Sequence, residues 1–188
     1  MDHKSDINGG PESNDSLALD GPKILLRAPA EADIGHFVKW SNDPELRRLT
    51  AETAPMSVAE AKAFIDKVRN DADRRWFIIV DKRTGNPIGE CGLLRIFWPW
   101  KTADLTMIIG QKEFWGKGHS DEAMGFLLDL AFNSLKLHRL SVGVLETNER
   151  AIRFYKRFGF KEEGRQRDGY LSNGKYHDFV MMSLLGGR

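Results

Sequence analysis

"ETNERAIRFYKRFGF", Glu146 to Phe160, decides how the rest of the chain is read. It continues "RLSVGVLE" (Arg139 to Glu146), an apolar run with the length and β-branched content of a strand. Ile152, Tyr155 and Phe158 then recur at helical spacing, so a helix is expected from about Glu149 to Phe158. Gly159 follows, the residue type suited to the left-handed position that ends a helix. Asn148 stands where the helix begins. It suits an N-cap, and it equally suits an anchor for a ligand or water at the strand end.

Some thirty residues upstream lies a second strand-to-helix turn, "FWGKGHSDEA" (Phe114 to Ala123), after the strand candidate "ADLTMIIG" (Ala103 to Gly110). Two glycines bracket a lysine, as in phosphate-binding loops. The Walker A pattern fails, because it needs Gly at position 111 and a hydroxyl at 118, which hold Gln111 and Gly118. The dinucleotide pattern G-x-G-x-x-G is broken by Asp121. The physics of the turn survives both failures. Backbone N–H groups from Trp115 to Ser120 would converge at a helix N-terminus, a ready site for an anion, and Lys117 adds a charge. An ordinary turn whose glycines only relieve strain would look the same.

Further out, "KILLRA" from Lys23 reads as a first strand, and Ile34, Phe37 and Val38 as a helix face stopped at Asn42-Asp43-Pro44. Ser57 and Glu60 form a capping box ahead of Ala61, Phe64, Ile65 and Val68. "WFIIVD" and "IGECGLLRIF" make a hairpin about Arg83–Pro87, and the last strands, 161–167 and 176–185, make another about Asn173-Gly174. The resulting order, β-α-α-β-β-β-α-β-α-β-β, predicts a mixed α/β (α+β) sheet with flanking helices in one domain, 23–188. Residues 1–22 are polar and rich in Gly, Ser, Asn and Asp, and are expected to be a disordered tail.

Composition removes several function classes. Lys plus Arg number 28 against 27 Asp plus Glu, so there is no global field for nucleic acid. No apolar run approaches the length of a membrane span, and the N-terminus lacks a secretory h-region, so a cytoplasmic chain is expected. The single cysteine, Cys91, excludes a disulfide framework, and His36, His119, His138 and His177 lack metal-like spacing.

Taken together, the two turns resemble the GNAT superfamily of acyl-CoA-dependent N-acyltransferases. That family's loop, Q/R-x-x-G-x-G/A, aligns with Trp115-Gly116-Lys117-Gly118-His119-Ser120, where Gly118 matches and Trp115 and Ser120 depart. Asn148, Ala151, Tyr155 and Gly159-Phe160 match its second cofactor motif, and the ending around Tyr176-His177-Asp178 is similar to the branch of ribosomal-protein N-terminal and polyamine acetyltransferases.

The resemblance implies a mostly antiparallel, twisted sheet with a splayed central parallel pair, and direct acetyl transfer from acetyl-CoA to an amine. The acceptor would be a small molecule or a protein N-terminus. Pantetheine would lie near Met107, Ile108 and Ile109, and pyrophosphate on the amides of Trp115, Gly116, Lys117, Gly118, His119 and Ser120, with Asn148 and Arg153 also candidates for the cofactor. Tyr155 would protonate the departing thiolate, although a core tyrosine fits the same helix face. Glu90 and Asp104 are candidate bases, and Glu146, Trp98 and Trp100 candidates for the acceptor side. A homodimer through the last strands or the tryptophan connection fits the pattern. So does a non-catalytic acyl-CoA sensor or partner-binding module on the same fold.

Overall fold

The computed structural model describes residues 18–52 and 54–187. Eight strands form one sheet: β1 (Leu19–Asp20), β2 (Ile24–Arg27), β3 (Arg75–Asp81), β4 (Pro87–Phe97), β5 (Thr102–Ile109), β6 (Arg139–Leu145), β7 (Lys161–Ser172) and β8 (Lys175–Leu185). Their spatial order is β1-β2-β3-β4-β5-β6-β8-β7. Every neighbouring pair is antiparallel except β5 with β6, which is parallel. A crossover connection must join that pair, and the helix α4 (His119–Leu128) with a π-helical extension over Asp129–Ser134 provides its length.

The parallel ladder is short. Only Thr102–Arg139, Ala103–Leu140 and Asp104–Ser141 are in register, after which the two strands part. Beyond that point β5 stays paired with β4 as far as Ile109, and β6 with β8 as far as Leu145. The sheet therefore holds a seam open at the C-terminal ends of β5 and β6.

Two cores cover the two faces. On one, Leu127, Leu140, Val142, Tyr155 and Phe160 pack with Phe77, Cys91 and Leu105, burying α4 and α5 (Glu149–Arg157). On the other, α1 (Ile34–Asn42) and α3 (Val58–Asn70) lay Phe37, Trp40, Ala61 and Ile65 on Trp76, Ile78 and Val80. The reciprocal Ser57–Glu60 capping box starts α3 as its sequence predicts.

Three local features depart from the sequence reading. Leu19–Asp20, assigned to the polar tail, pair with Leu25 and Leu26 of β2, while residues 1–17 lie outside the described residues. Asn42-Asp43-Pro44 ends α1 but at once begins a second helix, α2 (Pro44–Thr50). The reason is chemical: Asp43 accepts from the N–H groups of Glu45 and Leu46, and Pro44 takes the first helical position, where its missing N–H costs nothing. Finally, β7 runs on to Ser172, well past Arg167.

Candidate active site

The open seam leads into a cavity of about 430 Å³. Met107, Ile108 and Ile109 line it from β5, and Ala151, Phe154 and Tyr155 from α5. Met107 and Ile109 belong to the core beneath α4 and α5, whereas Ile108 belongs to the core beneath α1 and α3. Neighbouring residues of a strand point to opposite faces, so lining by all three means that the cavity passes through the sheet.

One mouth is cationic. Arg150, Arg153 and Arg157 stand at i, i+3 and i+7 on α5 and all reach the cavity. Arg157 pairs with Asp121 of α4, Arg153 with Glu149, and the Arg150 guanidinium lies 3.8 Å from the Trp115 ring centroid. The Trp115 indole N–H donates to the carbonyl of Ile109 at 2.7 Å, closing off the last acceptor of β5. The loop itself has the geometry of an anion cradle. Gly116 and Gly118 take φ of +71° and +85°, backbone that only glycine adopts without strain, and α4 starts at His119. Gly116 and Ser120 line the main cavity, whereas the side chains of Lys117 and His119 line a second one. Gly118 lies between them, and the Lys23 ammonium, bound to the neighbouring Lys117 carbonyl, stands where a side chain at Gly118 would go.

Tyr155 is 5% exposed and reaches the cavity. Burial, with a smaller contribution from the Cys91 thiol, pushes its pKa well above the ordinary phenol value. The group therefore stays protonated throughout the physiological range, as a proton donor must. Its ring meets Phe154 and Phe160 edge-on, which fixes its direction.

Glu90 sits on β4 in register with Ile78 on one side and Ile108 on the other. It is 7% exposed and accepts a 2.8 Å hydrogen bond from the Trp76 indole. Burial raises its pKa to about 7; the Trp76 hydrogen bond opposes that rise and the charge of Glu52 adds to it. A carboxylate titrating there is poised to exchange protons near neutrality.

Glu90 does not itself line the cavity, although Ile108, its partner across the ladder, does; the other sequence-derived candidates lie elsewhere as well. Asp104 belongs to the closed end of the parallel pair and is bound to Arg95 at 2.5 Å. Trp98 and Trp100 stand in the β4–β5 turn, at the start of β5, and the cavity is at its end, roughly 20 Å along the strand at ~3.3 Å per residue. Trp98 bonds to Asp73 there, and Trp100 is 74% exposed. They do not wall the cavity, because the hairpin reverses the chain away from the seam. Glu146 is at the right end of β6 but faces Arg165 and His177, and does not line the cavity. Asn148 caps α5 through Oδ1 and donates through Nδ2 to the carbonyl of Leu49, 3.1 Å away in each case.

Sequence reasoning missed the α2 wall, Leu46, Leu49 and Thr50, as well as Arg150 and Arg157. The signals were present: Asp-Pro as an N-cap pair for α2, and the i, i+3, i+7 arginine spacing for α5.

Comparison with known proteins agrees with this geometry. The family described as Acetyltransferase (GNAT) domain matches residues 23–161. A spermidine N(1)-acetyltransferase of Vibrio cholerae is 28% identical over 163 residues, covering 87% of this chain and 93% of the relative. An uncharacterized N-acetyltransferase p20 of Bacillus licheniformis is 29% identical over 166 residues, 87% of this chain and 93% of its own. Among solved structures, the spermidine N-acetyltransferase from Vibrio cholerae in complex with CoA and spermine superposes with a TM-score of 0.81 at 28% identity, over 87% of this chain and 95% of that one. With the seam, the glycine loop and the tyrosine all in one cavity, the chain belongs to the GNAT acetyltransferase family and is an acetyl-CoA-dependent N-acetyltransferase.

Proposed function

We propose that the protein acetylates a primary amine of a small, cationic molecule of the polyamine class, with the seam between β5 and β6 as the meeting point. The observation that carries this reading is Tyr155, buried and protonated, on the cavity that Met107, Ile108 and Ile109 also line. In this reading acetyl-CoA enters from the arginine side, with its pantetheine along β5 and its diphosphate on the amides of Gly116 to Ser120; the Trp115 N–H, which the sequence reading included, is already spent on the Lys112 carbonyl at 3.0 Å. The acceptor approaches past Leu46, Leu49 and Thr50.

The chemistry balances without a covalent enzyme intermediate. Glu90, through one water, takes the proton that an ammonium must lose before it has a lone pair. The amine nitrogen then bonds to the thioester carbonyl carbon, and a backbone N–H near Ile108 supports the oxyanion. As the C–S bond breaks, Tyr155 gives its proton to the thiolate, the nitrogen releases its second proton to water, and Tyr155 recovers one from solvent. Holding both reactants in one through-sheet cavity supplies much of the acceleration.

Polyamine acceptors are favoured by the spermidine acetyltransferases among the relatives. The test is release of free thiol from acetyl-CoA with spermidine, spermine, an aminoglycoside and a peptide with a free N-terminus. Turnover is expected with spermidine or spermine first. Turnover with the peptide alone would overturn the acceptor class, and no binding of acetyl-CoA would overturn the enzyme reading. Binding that stabilises the fold without transfer to any amine would identify the non-catalytic module.

A further inference from the structure

A second cavity, of about 310 Å³, opens on the far side of the glycine loop from the seam. Pro22, Lys23, Asp81, Arg83, Phe114, Lys117 and His119 line it, so three extended cationic side chains surround a hollow whose one acid is Asp81. That acid is fully engaged within the protein. Its Oδ2 accepts from the Thr84 N–H and hydroxyl, at 2.9 and 2.7 Å, and its Oδ1 lies 3.0 Å from Nε2 of His119. Although burial opposes its charge, those bonds outweigh burial and hold the Asp81 carboxyl below the usual carboxylate range. Asp81 therefore ties the β3–β4 turn, which carries Arg83, to the first residue of α4.

The opposite wall is fixed as well. The Lys23 ammonium donates to the carbonyl of Lys117, and the Glu122 carboxylate accepts from the N–H groups of Lys23 and Ile24. Arg83 makes no ion pair among the described residues, and the Lys117 ammonium has only the Phe114 ring, 5.8 Å away. His119 is 7% exposed, and its Nδ1 is buried without a partner. Two unneutralised cations and a third beside the loop thus converge on one hollow, held by a scaffold of hydrogen bonds.

We infer that this second cavity is a site for a phosphate dianion, with Arg83 and Lys117 as its ligands. This rests on the acetyl-CoA reading for one of its two sources. Coenzyme A carries a diphosphate and, on its ribose, a separate 3′-phosphate; a diphosphate seated on the loop puts the second group within reach of the loop's other face. The alternative source is free phosphate. Doubly ionised oxygen and guanidinium form short, charge-assisted hydrogen bonds, often bidentate, which a lysine provides only as a point charge.

Calorimetry with acetyl-CoA and with 3′-dephospho-acetyl-CoA tests the site on the native chain, Arg83→Ala and Arg83→Lys. The native protein is expected to bind acetyl-CoA about tenfold more tightly than the dephospho compound, the ordinary worth of hydrogen bonds to a charged group. Arg83→Ala should lose most of that preference while its affinity for the dephospho compound changes less than twofold. Arg83→Lys should keep part of the preference. A second arm titrates inorganic phosphate into the protein saturated with 3′-dephospho-acetyl-CoA. Binding there that Arg83→Ala abolishes, with no preference between the two thioesters, assigns the site to free phosphate. A native preference that Arg83→Ala leaves intact overturns the proposal, and so does a native protein that shows neither preference nor phosphate binding. Failure to bind either thioester would instead remove the acetyl-CoA reading, and the phosphate arm, run on the free protein, would still decide the cavity.

Discussion

The side-chain amide of Asn148 joins two walls of the cavity: it caps α5 through Ala151 N–H and holds α2 through the Leu49 carbonyl. Helix α2 is only seven residues long and ends on Ala51 in the left-handed region, φ 61°, so its C-terminal carbonyls depend on partners outside the helix. Asn148→Asp keeps a good N-cap but faces the Leu49 carbonyl with an acceptor in place of a donor. Loss of one such bond is worth about 1 kcal/mol. We expect the KM for the amine to rise roughly fivefold, the equivalent of that energy, with acetyl-CoA affinity within about twofold of native. Steady-state kinetics with the amine varied, beside calorimetry of acetyl-CoA, separates the two quantities. An equal loss in both would mean that Asn148 serves the cosubstrate directly.

Tyr155→Phe removes a proton donor and little else, because the ring contacts with Phe154 and Phe160 remain. Loss of a positioned acid typically costs on the order of 10²-fold in rate. The expected outcome is that drop in kcat with acetyl-CoA binding unchanged, read by single-turnover thiol release. A wild-type kcat in the variant would make Tyr155 a packing residue.

Glu90 links stability to pH. Its folded pKa of about 7 lies above the ordinary 4.5, so between those values the native state holds a proton that the unfolded state has lost. Stability from this group is fully present below pH 4.5 and is lost as pH rises through about 7. The shift corresponds to about 3 kcal/mol at full ionisation. Glu90→Gln keeps an acceptor for the Trp76 indole and cannot ionise. Urea unfolding at pH 5 and pH 8 should show the variant gaining on the native protein at the higher pH. The same substitution should abolish the acidic limb of kcat/KM. An unchanged limb would assign the base elsewhere.

Gly118 takes φ +85°, and a Cβ there would come within 2.8 Å of the Lys23 ammonium. The lysine end can swing away, but the backbone strain stays, about 1–2 kcal/mol for a residue with a side chain in the left-handed region. Gly118→Ala should lower Tm by several degrees and weaken acetyl-CoA, whereas Gly125→Ala, a helical glycine with open space around it, should do neither. Differential scanning calorimetry on both variants checks the contrast.

Much of this architecture is legible in the sequence because local chemistry and tertiary placement agree. Ser57 with Glu60, Asn148 with Gly159, and the continuous apolar runs of β3 and β4 each specify an element that the fold keeps. The site was legible where it depends on backbone turns and on the helix face of Tyr155. It was not legible where lining depends on which strand end opens. Trp98 and Trp100 are conspicuous in sequence but sit at the closed end, while Leu46 and Leu49 are ordinary apolar residues made important by one asparagine 99 positions away. Glu90 is an intermediate case: its place in an apolar strand is legible, but the Trp76 partner is a cross-strand fact.

In mechanical terms the three-rung ladder between Thr102–Asp104 and Arg139–Ser141 makes the sheet a peg with two leaves. One leaf is β1 to β5, which α4 follows; the other is β6 to β8 with α5 between β6 and β7. A wedge pushed into the open jaws turns one leaf against the other about that spring, and the Arg157–Asp121 and Arg150–Trp115 contacts are the clasps that resist it. The width of the jaws, and with it the distance from Tyr155 to whatever lies along β5, is thus set by a short spring, two surface clasps and the one amide of Asn148 that ties α5 to α2.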